Sequence, residues 1–332
     1  MYITKQIIPE SRKYTILFNG FTGFEILTGL PPYPDPFVLE SPSMIDVGIM
    51  GHCSNDCKIC YQGKINIPNM KFEDFKIIID QCKKHINQVA LGGKGDPNKH
   101  ENFEQILQYC RVNNVIPNYT TSGNGLTDEE VYISKIYTGA CAVSMYNQDF
   151  TYIALNKFIE KKVKTNIHFV VSQETFDDAI KIMKGEDIWK GRFPLDKLNA
   201  VVFLLFKPQG NGANKKHLCL STDQIKEFAD ALLEPKCSFK VGCDSCMINK
   251  VSQVRILTNT EKVCVDTCEG SRMSCYISPD MMFMPCSFGD KFLFGTPITQ
   301  NNTIQKIWEE GPPFTAFREV LKKNPMSCPY EL

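Results

Sequence analysis

From Met44 onward, short runs of apolar and β-branched residues alternate with stretches whose apolar positions recur every three or four residues. Strand followed by helix, repeated, is the pattern of a parallel sheet or barrel whose crossovers are helices. It predicts six units with strands at 44–50, 88–91, 115–121, 140–145, 165–171 and 198–206. Between the first two, Phe72, Phe75, Ile79, Cys82 and Ile86 step along one face of a helix, and Phe103, Ile106, Leu107 and Cys110 mark the next. Thr127 with Glu130 and Ser221 with Gln224 match the capping box, which places the starts of two later helices. Ahead of Met44, YTILFN and GFTGFEILTG read as a small hairpin, and PPYPDP as a lead-in without regular structure.

With 332 residues the chain is long enough for one large domain and a smaller one. Lysine plus arginine (37) balance aspartate plus glutamate (37), so no basic field draws nucleic acid or acidic lipid. The start, MYITKQIIPESRKY, lacks a signal-peptide core, and no apolar run reaches membrane-spanning length, so a cytosolic protein is expected. Fifteen cysteines are many for such a compartment, and the odd number argues for metal or redox use over a disulfide framework. Cys82 and Cys110 fall on the apolar stripes of helices and Cys141 in the strand-like run ACAVSMY, and all three read as ordinary core residues.

The loops that follow the strands carry the chemistry. In order they are a cysteine loop, GGKGDP, TTSGNG, SMYN, VSQ and KPQGNG. In parallel α/β folds such loops share the rim where ligands bind. The first, GHCSNDCKICYQG, spaces Cys53, Cys57 and Cys60 as C-x3-C-x2-C. A 4Fe-4S cube normally takes four thiolates. A local set of three leaves one iron open, as a catalytic zinc keeps a free position. His52 precedes the triad directly, and adjacent residues do not easily point at one small cube, so it reads as an exposed loop histidine.

This triad resembles the motif of the radical S-adenosylmethionine (SAM) enzymes. The resemblance implies that the open iron is chelated by the amino and carboxylate groups of SAM, and that an electron from the cluster splits the sulfonium into methionine and a 5'-deoxyadenosyl radical. It also implies an α/β fold: a partial (β/α)6 barrel over 44–210, preceded by the hairpin and lead-in of 1–43. Gly92, Gly93 and Asp96 resemble the family's GGE motif, in which glycines admit SAM to the backbone and an acid holds its ammonium group. Ser122 and Ser144 sit where family members contact the ribose and carboxylate; a hydroxyl closing a turn is the equal alternative. Two departures stand out. Ile59 occupies the usual aromatic position, with Tyr61 just beyond, and a shorter aspartate preceded by an extra glycine replaces the usual glutamate.

A connecting helix over 211–235 leads into a cysteine-rich region over 236–332. There CEGSRMSCYISPDMMFMPCSF resembles the SPASM or twitch extension of the same family, which holds an auxiliary 4Fe-4S cluster. PDM stands in its turn for the commoner proline-aspartate-glycine. The ligand set this implies is Cys246, Cys268, Cys286 and Cys328, with Cys243 as an alternative to Cys246 and Cys264 to Cys268. The remaining thiols, Cys275 among them, are candidates for hydrogen-atom donors. A structural zinc site built on Cys243 and Cys246 is the competing reading.

Family members with such extensions mostly modify peptides or proteins, by crosslinking, epimerisation or side-chain oxidation. The resemblance therefore implies a peptide or protein substrate and an electron donor such as flavodoxin or ferredoxin. Radical chemistry on a small metabolite or cofactor precursor is the second reading, and a noncatalytic iron-sulfur or zinc protein the third. No residue stands out as a catalytic acid or base.

Overall fold

The computed structural model describes residues 5–55, 57–256, 258 and 267–330. A three-stranded meander opens the chain: β1 (Lys5–Ile7), β2 (Tyr14–Asn19) and β3 (Phe24–Gly29), in the order β1-β2-β3. The expected hairpin is β2 and β3, and β1 is an addition to it. Ile7, Tyr14, Ile16 and Leu39 form its own small core. The proline-rich lead-in is held at its end by the C-terminal part of the chain, where Trp308 Nε1 donates to the Leu39 carbonyl at 2.9 Å.

Six βα units follow. Their strands are β4 (Met44–Met50), β5 (Gln88–Gly93), β6 (Ile116–Thr121), β7 (Cys141–Ser144), β8 (Thr165–Val171) and β9 (Ala200–Leu205), each paired in parallel with the next. The crossovers include α1 (Phe72–Cys82), α2 (Phe103–Val112), α3 (Asp128–Tyr137), α4 (Asp149–Glu160) and α5 (Phe176–Met183). This is a partial (β/α)6 barrel. Alternation along each strand sends one set of side chains to the helices: Ile45, Val47 and Ile49 of β4 and Ile167 and Phe169 of β8 pack there with Phe75, Ile79 and Phe158. Burying each such side chain contributes roughly 1.5–3 kcal/mol. The other set faces the lumen and includes polar groups: Asp46, Asn118, Thr120, Ser144 and His168 are partly buried there. Thr120 Oγ1 lies 3.3 Å from His168 Nδ1 across that space.

Both capping boxes form, at α3 (Thr127 and Glu130) and at α6, Thr222–Leu233 (Ser221 and Gln224). Beyond α6, β10 (Lys240–Cys243) continues the sheet in parallel beside β9 and feeds α7 (Ser245–Val254). At the opposite edge β11 (Ser274–Ile277) pairs in parallel with β4, and β12 (Met282–Met284) and β13 (Thr296–Pro297) extend it antiparallel. The order is β10-β9-β8-β7-β6-β5-β4-β11-β12-β13, so the cysteine-rich third supplies strands to both edges of one sheet. The expected cysteine hairpin is β11 and β12, with Met281 of its PDM turn at φ 62°, a conformation glycine adopts without strain. Two helices, α8 (Ile304–Glu310) and α9 (Pro312–Lys323), close the chain against it. Among the described residues no helix is long and apolar enough to cross a membrane.

Candidate functional site

The cysteine triad lies in the loop that leaves β4 at the carboxyl end of the sheet. Its backbone is pinned from two sides. From the loop after β9, Asn211 donates its amide to the Cys60 carbonyl at 2.8 Å and its side-chain Nδ2 to the Cys57 carbonyl at 2.9 Å. Gly210, at φ 56°, comes so close that a Cβ there would stand 2.4 Å from the Cys60 and Tyr61 carbonyl oxygens. From the loop after β5, Gly95 approaches the His52 carbonyl, where a Cβ would meet oxygen at 2.3 Å. His52 itself is exposed.

Asp96 and Ser122, two of the residues singled out in the sequence, meet directly. The Asp96 carboxylate accepts from the Ser122 amide at 2.6 Å and from its hydroxyl at 2.6 Å. Asn55, inside the triad loop, donates to Ser122 Oγ at 3.1 Å, and Asn124 donates to the Asn55 side chain at 3.0 Å. A polar network thus ties the cysteine loop to the loops after β5 and β6. Gly93 is needed by the fold, because a Cβ there would stand 2.3 Å from the Met50 carbonyl. Gly92 is not: nothing lies within 4 Å of where its Cβ would be. Ser144 ends β7 beside His168 in the register and takes no part in this network.

Burial pushes the Cys53 thiol up, with Asp96 and Cys57 adding to it against the Asn55 amide and Lys94. The Tyr146 phenol is also raised, first by burial and then by its hydrogen bond to Cys57. Tyr146, Asn55, Asn124 and Asn211 are site residues that the sequence did not single out. Their one signal was position, in or beside loops already read as the rim. Ile59 leaves the usual aromatic place empty, and Tyr61 instead packs on Phe288, ring centroids 4.7 Å apart.

A second group of thiols gathers behind the first. Cys246 lies in the first turn of α7, which Asp244 caps by accepting from the Met247 amide at 2.9 Å. Burial pushes Cys246 up to about 12, and Cys268 and Cys328 contribute to it. It pushes Cys268 up to about 11, again with Cys328 contributing. Cys286, raised by burial, feels both Cys246 and Cys268. Each of the four therefore lies within electrostatic reach of at least two of the others. Cys243 is raised by burial, with Asp244 as its neighbouring charge and none of the four thiols among the causes. Cys264 lies outside the described residues. Cys275 is buried on β11 and senses Cys82, a core neighbour.

Cys246, Cys268 and Cys286, whose ionisation is opposed by burial and by neighbouring thiols, gain most from a bound cationic centre, which inverts that balance. Among the described residues no three His, Cys, Asp or Glu side chains converge tightly enough to hold a single metal ion.

No protein-family model matches the chain. In sequence it is similar to biotin synthases of Alkaliphilus metalliredigens, 24% identical over 151 residues, and of Clostridium beijerinckii, 25% over 145. Each match covers 41% of this chain and 42% of the relative, so the chain aligns with less than half the length of these curated proteins. In structure it is similar to SuiB of Streptococcus suis, with TM-score 0.71 and 12% identity over 96% of this chain and 90% of that one. SuiB bound to its precursor peptide SuiA gives TM-score 0.65 at 14% identity, covering 85% and 67%. The protein anSMEcpe with bound AdoMet and the Cp18Cys peptide gives 0.62 at 16%, covering 86% and 84%. Strand order and these likenesses agree on the fold: the chain has the partial-barrel architecture it shares with SuiB and anSMEcpe, with a cysteine-rich C-terminal region built onto both edges of its sheet.

Proposed function

We propose that this chain is a radical SAM enzyme that acts on a peptide or protein. The observation that carries the reading is the junction at the head of β4, where the three-cysteine loop, the Gly92-Gly93 turn and the Asp96-Ser122 pair share one rim. Cys53, Cys57 and Cys60 would hold a 4Fe-4S cluster that leaves one iron open. When bound, that cluster and SAM supply a one-electron cleavage of the sulfonium carbon-sulfur bond to methionine and a 5'-deoxyadenosyl radical, which takes a hydrogen atom from substrate. Asp96 provides the anionic acceptor an ammonium group needs, and Ser122 fixes its orientation with two hydrogen bonds. Gly92 leaves open space where a ligand backbone can approach. Tyr146 stands beside Cys57 at the edge of the site, and Ser144 is the remaining polar contact on the rim. Cys246, Cys268, Cys286 and Cys328 would fully ligate a second 4Fe-4S cluster with an electron-transfer or structural role. Flavodoxin or ferredoxin would supply electrons.

The peptide assignment is supported by the fold shared with proteins whose structures hold peptides. The biotin synthase likeness favours a second reading, a small metabolite or cofactor precursor as substrate. Mass spectrometry separates them. The reduced enzyme is incubated with SAM and a peptide encoded beside its gene, and the peptide is analysed for a change in mass. An unmodified peptide, with 5'-deoxyadenosine formed only on addition of small-molecule extract, would favour the second reading.

A further inference from the structure

Lys207 is the second residue after β9, at the start of the loop that clamps the triad, yet its side chain points into the C-terminal cysteine group and is only 12% exposed. Its ammonium stands 2.7 Å from Asp244 Oδ2 and 3.8 Å from the centroid of the Phe288 ring. Asp244 caps the helix that carries Cys246 in its first turn, and Phe288 lies two residues beyond Cys286, so both contacts place the ammonium at the C-terminal cysteine group. Asp244 is itself fixed, since its other oxygen accepts from the Leu205 and Met247 amides at 3.2 and 2.9 Å. The lysine is thus held beside the segments that carry two of the four thiols, with a carboxylate as its counterweight.

Resting on the ligand set proposed above, we propose that the Lys207-Asp244 pair sets the reduction potential of the C-terminal cluster. A cube with four thiolates gains negative charge on reduction. A nearby cation in a poorly hydrated setting stabilises the reduced state more than the oxidised one, and a nearby anion does the reverse. Lys207 therefore draws the potential upward and Asp244 draws it down.

The test uses the full chain with Cys53, Cys57 and Cys60 replaced by alanine, so that the C-terminal site alone is loaded. Its midpoint potential is followed by electron paramagnetic resonance during an anaerobic redox titration. Lys207→Met is expected to lower the midpoint, Asp244→Asn, which still caps α7, to raise it, and the double variant to fall between. Lys207→Arg, which keeps the charge, is expected to stay near the parent. Equal midpoints, or shifts of the same sign in both single variants, overturn the inference while leaving the ligand set standing. Failure of the parent to assemble any cluster overturns the ligand set and the inference together.

Discussion

The Tyr61 ring packs on the Phe288 ring at 4.7 Å and 46°, joining the residue after Cys60 to the residue two beyond Cys286. The two cysteine groups are therefore mechanically linked. Phe288→Ala is expected to destabilise by about 1–3 kcal/mol, as for a half-buried aromatic. A double-mutant cycle with Tyr61→Ala, read by denaturant unfolding, should return a coupling of about 0.5–1.5 kcal/mol. Additive effects would mean that the contact does not join the loops.

Two glycines on the rim should behave in opposite ways. Gly210→Ala brings a Cβ within 2.4 Å of the Cys60 and Tyr61 carbonyls, so the triad loop must shift. The expected result is loss of iron from the first site, retention at the second, and a stability loss of about 1–3 kcal/mol. Gly92→Ala meets nothing within 4 Å. Its stability should stay within about 0.5 kcal/mol of the parent, while SAM affinity measured by equilibrium dialysis falls about tenfold, roughly 1.4 kcal/mol. Unchanged SAM binding would remove Gly92 from the site.

The lumen holds two groups biased toward their neutral forms. Burial, helped by Glu269, raises Asp46 from 3.8 to about 7. Burial lowers His168 from 6.5 to about 4, with Asp244 opposing. Between about pH 4 and 7 the folded chain holds the Asp46 proton that the unfolded chain releases, so this group's contribution falls as pH climbs. For His168 the folded chain binds fewer protons between 6.5 and about 4, so stability falls as pH drops through that window. In metal-free protein, Asp46→Asn should gain on the parent by up to about 3 kcal/mol between pH 5 and 8. His168→Gln should gain by up to about 3 kcal/mol between pH 7 and 4. Parallel unfolding curves at all pH values would contradict both.

The barrel was legible because its signals are local. Strand limits at Met44–Met50 and Thr165–Val171, the stripes of α1 and α2, and both capping boxes depend on neighbours within a turn or two. What stayed hidden depends on distant pairing. KVGC of β10 and SCYI of β11 carry no alternation that says which edge each joins, and β11 pairs with a strand 230 residues earlier, Ser274 opposite Met44. The Lys207-Asp244 pair and the contact of Asn211 with the triad are likewise long-range. Asp96 and Ser122 were singled out because each lies in a glycine-rich loop after a strand. That they bond each other, and that Ser144 stands aside, is set by how far each strand extends beyond its neighbour.

The central claim is an iron left open by three thiolates that grips SAM. Anaerobically reconstituted protein, reduced with dithionite and given SAM, should form 5'-deoxyadenosine. Alanine at Cys53, Cys57 and Cys60 should abolish that product while the absorbance of the second cluster persists. A reduced, iron-loaded protein that leaves SAM intact, or a tetrahedral zinc bound at those three thiols, would contradict the account.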